Sequence, residues 1–221
     1  MDISSQQHYP IKTSELPKTW AVSRVGEVIR DIRSGFASGE HSDQPPGVLH
    51  LRPMNIGRDG RMILDVARYV PNTGGVRVRG GDVLFNNTNS RELVGKTTTI
   101  SGDDSYAFSN HMTRLRPPVG VSPRFTALQL HYLWMSGYFR HLSTQHVNQA
   151  SVSSKTLAST VPFLVPPADE QERIVEEIDR QFSRLDAAAN GFKAAMLKGR
   201  QYRLSVLAAA CSGIPQHLPQ R

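Results

Sequence analysis

Three short stretches gather side chains able to hydrogen-bond the edges of nucleic-acid bases: Asn86-Asn87-Thr88-Asn89-Ser90-Arg91, Ser109-Asn110-His111 with Arg114, and Gln145-His146-Val147-Asn148-Gln149. An Asn or Gln amide can bond adenine through two atoms at once, and Arg or Lys can bond guanine, in the major groove. Arg52 with Asn55, Arg77 with Arg79, and Lys96 beside the asparagine run extend the set. Arg77 and Arg79 alternate, so a strand would send both from one face toward phosphates. Each stretch has a plainer reading. Asn-rich turns are common because Asn tolerates left-handed backbone, Arg52 and Asn55 can bond neighbouring loops, and Arg77 and Arg79 can be a solvated strand face. If the ligand is a nucleic acid, the candidate contacts are Arg52, Asn55, Arg77, Arg79, Asn86, Asn87, Asn89, Arg91, Lys96, Asn110, His111, Arg114, Gln145, Asn148 and Gln149. Tyr106, Phe108, Trp134 and Trp20 read as core.

Catalytic patterns are absent from the sequence. No Asn-Pro-Pro-Tyr or Asp-Pro-Pro-Tyr run is present to hold a flipped base. Neither Gly-x-Gly-x-x-Gly nor a P-loop occurs, and no acid pair precedes a Glu-x-Lys. The eight histidines form no pair with metal-ligand context. The expectation is no catalytic residue, no metal and no cofactor in this chain. A lone cysteine, Cys211, excludes an internal disulfide and a multi-cysteine zinc site. The polar start lacks a signal pattern, and no apolar run has the roughly 20 residues a bilayer requires. A cytoplasmic location without membrane contact is expected.

The chain of 221 residues carries a formal net charge of +7, which suits an anionic partner. Eighteen of the 26 Lys and Arg but only twelve of the 19 Asp and Glu precede Ala168. The positive field thus belongs to the first region.

The elements that would position these groups fall into two parts. Residues 16–167 are rich in Gly, Pro, Asn, Thr and Val. Strands are expected at Val48–Met54, Met62–Val70, Asp82–Phe85, Lys96–Ile100 and His111–Leu115, with imperfect alternation at Arg24–Arg33. Turn signals at Asp59-Gly60, Gly74-Gly75, Gly80-Gly81 and Gly102-Asp103 separate them. Ser122–Leu142 has helical spacing. The second part, 168–213, contains no proline and reads as one helix starting after Pro166-Pro167, with Asp169 as its cap and Glu172 completing a capping box. Its apolar residues Val175, Ile178, Phe182, Leu185, Ala189, Phe192 and Met196 are spaced 3, 4, 3, 4, 3, 4, a heptad seam that calls for a partner helix. Leu197, Leu204, Leu207 and Cys211 define a shifted stripe, so near Gly199 the pairing geometry changes or the helix breaks. Residues 1–15 and 214–221 are set apart as tails. The fold class is α+β: a mixed α/β domain followed by a long coiled-coil-forming helix.

Four motifs in order resemble the specificity subunits of type I restriction–modification enzymes. They are Leu16-Pro17-Lys18-Thr19-Trp20 before Val25-Gly26-Glu27-Val28; Leu51-Arg52-Pro53-Met54-Asn55-Ile56; Gly81-Asp82-Val83-Leu84-Phe85-Asn86-Asn87 with Leu93-Val94-Gly95-Lys96; and Gln149-Ala150-Ser151-Val152 leading to Pro166-Pro167, Glu170-Gln171 and Arg173-Ile174-Val175. The ending Arg203–Gly213 is also similar. The resemblance implies a target-recognition domain and one conserved helix, half of a subunit that normally has two of each. It further implies double-stranded DNA as ligand, methyltransferase subunits carrying S-adenosylmethionine as partners, and in some systems a restriction subunit. Pairing would be with a second copy or another half through the seam. The alternatives are an assembly or inhibitory module for the methyltransferase that binds no DNA, and a recognition remnant of a fused restriction–methylation enzyme.

Overall fold

The computed structural model of the protein describes residues 8–66, 68–71, 75–102 and 105–213. The turn signals at Gly74 and Asp103, and residues 1–7 and 214–221 of the tails, lie outside the described residues. The chain divides into two units, Met1–Ile174 and Val175–Arg221.

The first unit is α+β. It opens with β1 (Ala21–Arg24), the one-turn α1 (Val25–Val28) and β2 (Asp31–Ser34). Alternation over Arg24–Arg33 is imperfect because α1 interrupts it, started by Glu27, which accepts from Arg24 N at 2.9 Å and Ser23 Oγ at 2.6 Å. There follow β3 (Val48–Leu51), β4 (Tyr69–Val70), β5 (Arg77–Val78), β6 (Val83–Asn86), β7 (Thr88–Asn89), β8 (Thr97–Thr99), β9 (Tyr106–Phe108) and β10 (Met112–Arg116). The expected strand over Met62–Val70 shrinks to β4 plus a bridge from Met62 to Ile56; Ile63 and Leu64 lie exposed rather than in a ladder.

β6 is the spine. All four of its side chains are buried, and because successive side chains face opposite ways it serves two cores. Val83 and Phe85 join Leu115, Leu130, Leu133, Phe139, Leu157 and Phe163 in one, while Leu84 joins Leu51, Val78, Phe108 and Met112 in the other. The antiparallel sheet β2-β10-β6-β8 lies between them, and a second sheet runs β4-β3-β9-β5 with β3 and β9 parallel. Asp82 at the foot of β6 takes two bonds from Arg116, at 2.6 and 2.8 Å. Tyr106 and Phe108 are buried as expected.

The helical stretch after Ser122 splits into α2 (Pro123–Met135) and α3 (Tyr138–Leu142). Gly137 separates them with φ of +81°, backbone that only glycine adopts without strain. The Ser122 side chain caps α2 by accepting from Phe125 N at 3.2 Å. Trp134 is partly buried and donates to Glu92 O at 2.8 Å. Tyr9, in the stretch set apart as a tail, packs edge-on against Tyr138 of α3.

His131 of α2 is buried and fully bonded. Its Nδ1 accepts from Thr97 N at 3.2 Å, and its Nε2 faces Arg58 O at 3.0 Å. This arrangement requires the neutral ring, and burial holds its pKa below the usual imidazole value. A lowered folded pKa means the stabilisation is complete above the unfolded value of about 6.5 and is lost as pH falls toward the folded value. Urea unfolding should therefore weaken below about pH 6.5 by up to ~1.4 kcal/mol per unit from this group. His50, also lowered by burial, adds to the slope. His131→Gln should flatten the slope, and an unchanged slope would refute the assignment.

Closing the unit are β11 (Thr144–Gln145), β12 (Ala150–Ser151), α4 (Ser154–Thr160) and β13 (Pro162–Val165). β13 pairs antiparallel with β1, Ala21 opposite Val165 and Arg24 opposite Pro162, so the first and fourth motifs meet. Gln129 of α2 clamps that ladder, donating to Leu164 O at 3.1 Å and accepting from Leu164 N at 2.7 Å. Trp20, half-buried with its edge toward Phe125, donates to Glu170 at 3.0 Å. Gln171 is buried; it accepts from Ser122 N at 2.8 Å and donates to Pro166 O at 2.9 Å and Gly120 O at 3.2 Å.

The long helix is α5, Ala168–Ser212. Asp169 is not its cap. The helix begins one residue earlier, where Pro167 O accepts from Gln171 N at 3.0 Å, and Asp169 and Glu170 occupy its first turn in favourable alignment with the dipole. At ~1.5 Å per residue, 45 residues extend on the order of 65 Å. The helix does not break at Gly199. In the second unit Val175, Ile178 and Phe182 are half-buried and Ala189 is exposed, while Leu185, Phe192 and Met196 are 64, 68 and 63 % exposed. Leu197, Leu204 and Leu207 of the shifted stripe are also exposed.

Candidate nucleic-acid interface

Asn87 ties together three segments far apart in sequence. Its side-chain Nδ2 donates to Thr113 Oγ1 at 2.9 Å and Asn110 O at 3.2 Å, and its Oδ1 accepts from Thr88 Oγ1 at 2.8 Å. Its backbone N donates to His111 O, and its O accepts from Val152 N. It is buried. Asn86 is also buried and donates to Leu93 O at 2.9 Å. These two asparagines were expected to read bases; instead their amides hold backbone inside the domain and face no solvent.

Three more expected contacts, Asn55, Lys96 and Arg114, are corrected for the same reason. Asn55 is buried, accepting from Arg52 N at 2.8 Å and donating to Ile63 O at 2.7 Å. The half-buried Arg52 donates to Val66 O at 3.2 Å. Lys96 is buried with its ammonium on Ile56 O; burial lowers its pKa. Arg114 is buried and donates to Asp31 at 2.6 Å and Arg77 O at 3.0 Å. Arg77 on β5 is half-buried, whereas Arg79, just beyond it, is exposed and lines a groove with Arg116 and the Pro117–Ser122 loop.

The remaining candidates converge. β7 pairs with β12, and β12 with β11, in a three-stranded antiparallel sheet. That sheet brings Asn89 and Arg91 beside Gln145, Asn148 and Gln149, and through Asn87 the Asn110–His111 turn adjoins it. Arg91, Asn110, Gln145, Asn148 and Gln149 are exposed; Asn89 and His111 are half-buried. Asn89 Oδ1 accepts from Ser90 N at 2.8 Å, fixing the turn after β7. The Arg91 side chain donates to Arg140 O at 3.2 Å, linking that turn to α3. Gly95 closes the segment with φ of +102°, and a Cβ there would lie 2.4 Å from Phe139. A groove lies between the Ser90–Glu92 turn and the Ser143–Gln149 segment.

Arg140 and His141 are exposed on α3, His141 stacked on His8 with ring centroids 3.8 Å apart, and neither was among the candidate DNA contacts. Val147, an exposed apolar residue at the tip between β11 and β12, was also not among the candidates. Its signal in the sequence was a β-branched apolar residue inside a polar run.

The exposed amides and Arg91 on this surface are hydrogen-bond donors and acceptors. Among the described residues no three His, Cys, Asp or Glu gather to hold a metal ion, and no helix is long and apolar enough to cross a membrane.

No family model matches the chain. In sequence it is 24 % identical, over 175 residues, to the Methanocaldococcus jannaschii protein named as the specificity subunit of the type I restriction enzyme MjaX. The match covers 73 % of this chain and 39 % of that one. Its fold is similar to a chain solved in work on complex assembly and conformational transition of the type I R-M system, with a TM-score of 0.70 and 22 % identity. That match covers 91 % of this chain and 48 % of the other. It is also similar to the HsdS subunit from Thermoanaerobacter tengcongensis, with a TM-score of 0.59, 23 % identity, and 84 % and 42 % covered. The chain therefore resembles type I specificity subunits in sequence and fold, and it spans less than half the length of these relatives.

Proposed function

We propose that the protein is a DNA-recognition subunit of a type I restriction–modification system whose first unit reads one half of a bipartite site. The observation that carries this reading is the β11-β12-β7 sheet, which sets the exposed amides of Gln145, Asn148 and Gln149 and the half-buried Asn89 beside Arg91, with the exposed Asn110 on the adjoining turn. Amides read bases and arginines hold phosphates or guanine. The excess positive charge before Ala168 supports the same surface.

In this reading α5 pairs antiparallel with a second copy or another half along the Val175–Met196 seam, and the helices set the spacing between half-sites. The helix also docks the methyltransferase subunits. Those partners carry S-adenosylmethionine and methylate the DNA, and where a restriction subunit is present it cuts. This chain contributes no catalytic group and works in the cytoplasm.

Alanine substitution separates the roles. Asn148→Ala and Gln149→Ala should each weaken binding to the recognised duplex by about 1–3 kcal/mol while leaving random duplex unaffected. Arg91→Ala should weaken both and lower the slope of log K against log salt by about 1. Fluorescence anisotropy across a salt series measures both. Equal losses on both duplexes for Asn148→Ala and Gln149→Ala would remove them from base reading.

A further inference from the structure

The connection between β11 and β12 is a tight hairpin. Thr144 pairs with Ser151 and Gln145 with Ala150, and His146 N donates to Gln149 O at 2.7 Å, leaving Val147 and Asn148 at the tip. The base is fixed on several sides. Ala150 is buried in the larger core, β12 is paired on its other edge by β7, and the His146 ring meets Ser151 Oγ at 3.1 Å.

The tip is an unusual place for valine. Turns favour Gly, Asn, Asp and Ser for their backbone freedom or local hydrogen bonds, and a β-branched side chain offers neither. Val147 is 97 % exposed, so it packs no core. Amides and an imidazole surround it in sequence, and Arg91 lines the adjoining groove. A two-stranded ribbon, its strands about 4.8 Å apart, fits the roughly 12 Å major groove of B-form DNA. There the one apolar group on a base-pair edge is the 5-methyl of thymine.

We propose that the 146–149 hairpin tip enters the major groove, with Val147 seated against the 5-methyl of a thymine and Asn148 bonding the edge of an adjacent base. This inference rests on the DNA-recognition reading and names the base chemistry that reading leaves open. Val147 becomes a specificity determinant: it selects thymine over cytosine by a methyl group, without a hydrogen bond.

The test begins by selecting bound duplexes with the full chain from a pool with a randomised centre. Each thymine of the enriched sequence is then replaced singly by deoxyuridine, which keeps base pairing and loses only the methyl. For the wild-type chain one position should cost about fourfold in affinity, the worth of one buried methyl. Val147→Ala should bind the thymine and deoxyuridine duplexes equally at that position, whereas Val147→Thr, which keeps one methyl, should retain part of the preference. Circular dichroism of each variant should match wild type, since the side chain touches no core. Enrichment of a sequence with no methyl-sensitive position, or a preference that survives Val147→Ala, overturns the hairpin assignment while DNA reading stands. Failure to enrich any sequence overturns both.

Discussion

A chain carrying Leu185→Glu and Phe192→Glu is expected to stay monomeric at concentrations where the unaltered chain self-associates. Leu185 and Phe192 are the fourth and sixth positions of a seven-position seam with heptad spacing, and both are largely exposed. Burying each against a second helix removes a large apolar side chain from water, worth about 1.5–3 kcal/mol apiece. Glutamate forfeits that gain and places charge in the contact. Each position occurs twice in a pair of copies, so the combined loss is at least roughly 6 kcal/mol, which weakens association more than ten-thousandfold. Sedimentation velocity over a concentration series measures it. The first unit should melt unchanged, because both substitutions fall beyond Ile174. A wild-type chain that is monomeric throughout would contradict pairing with a second copy and leave only another half as partner, and a double variant that still pairs would contradict the seam.

Gln171→Ala should give the largest loss of stability from a single surface-remote amide. Its side chain satisfies Ser122 N, Pro166 O and Gly120 O at the point where the loop before α2 meets the start of α5. Alanine takes that partner away from the buried Pro166 carbonyl and from the more open Ser122 N and Gly120 O, at about 1–3 kcal/mol for each group that water cannot reach. A total of about 3 kcal/mol corresponds to a fall in Tm on the order of 10 °C for a unit of this size. Gln171→Glu should be nearly as damaging, since it keeps the acceptor for Ser122 N but loses both donors and buries a charge. Trp20→Phe, which gives up one bond to Glu170, should cost only about 1 kcal/mol. Differential scanning calorimetry separates the three. Near-wild-type melting of Gln171→Ala would show that water or a loop shift replaces the bonds.

The long helix was legible because its signals are local. A proline pair bars helix before it, acidic residues fill its first turn, and a 3–4 apolar spacing repeats for three heptads. Its cap was misplaced by two residues because Asp169 looks like a cap while the helix is already under way from Pro167, whose carbonyl accepts its first bond. β6 was legible as an apolar run, but not that its two faces serve different cores. The pairing of β1 with β13 joins segments about 140 residues apart, and nothing in local periodicity reveals such a contact. Gln171, Gln129 and Asn87 were invisible as structural keys for one reason: an amide that bonds buried backbone and an amide that bonds a base are the same side chain. The asparagine run thus divided, Asn86 and Asn87 turning inward and Asn89 toward the surface. The β7-β12-β11 ladder makes this segment and Gln145–Gln149 neighbours, a contact no local signal in the sequence reveals, and base reading is the task proposed for both.

Competition on DNA tests that shared task most directly. A genomic-fragment library is passed over the full chain, and a retained duplex is competed against its scrambled counterpart at about 0.15 M salt. If these amides read bases, the scrambled duplex should need at least roughly a thousandfold excess to compete equally. Equal competition by the two duplexes would mean that the surface holds phosphate without reading sequence.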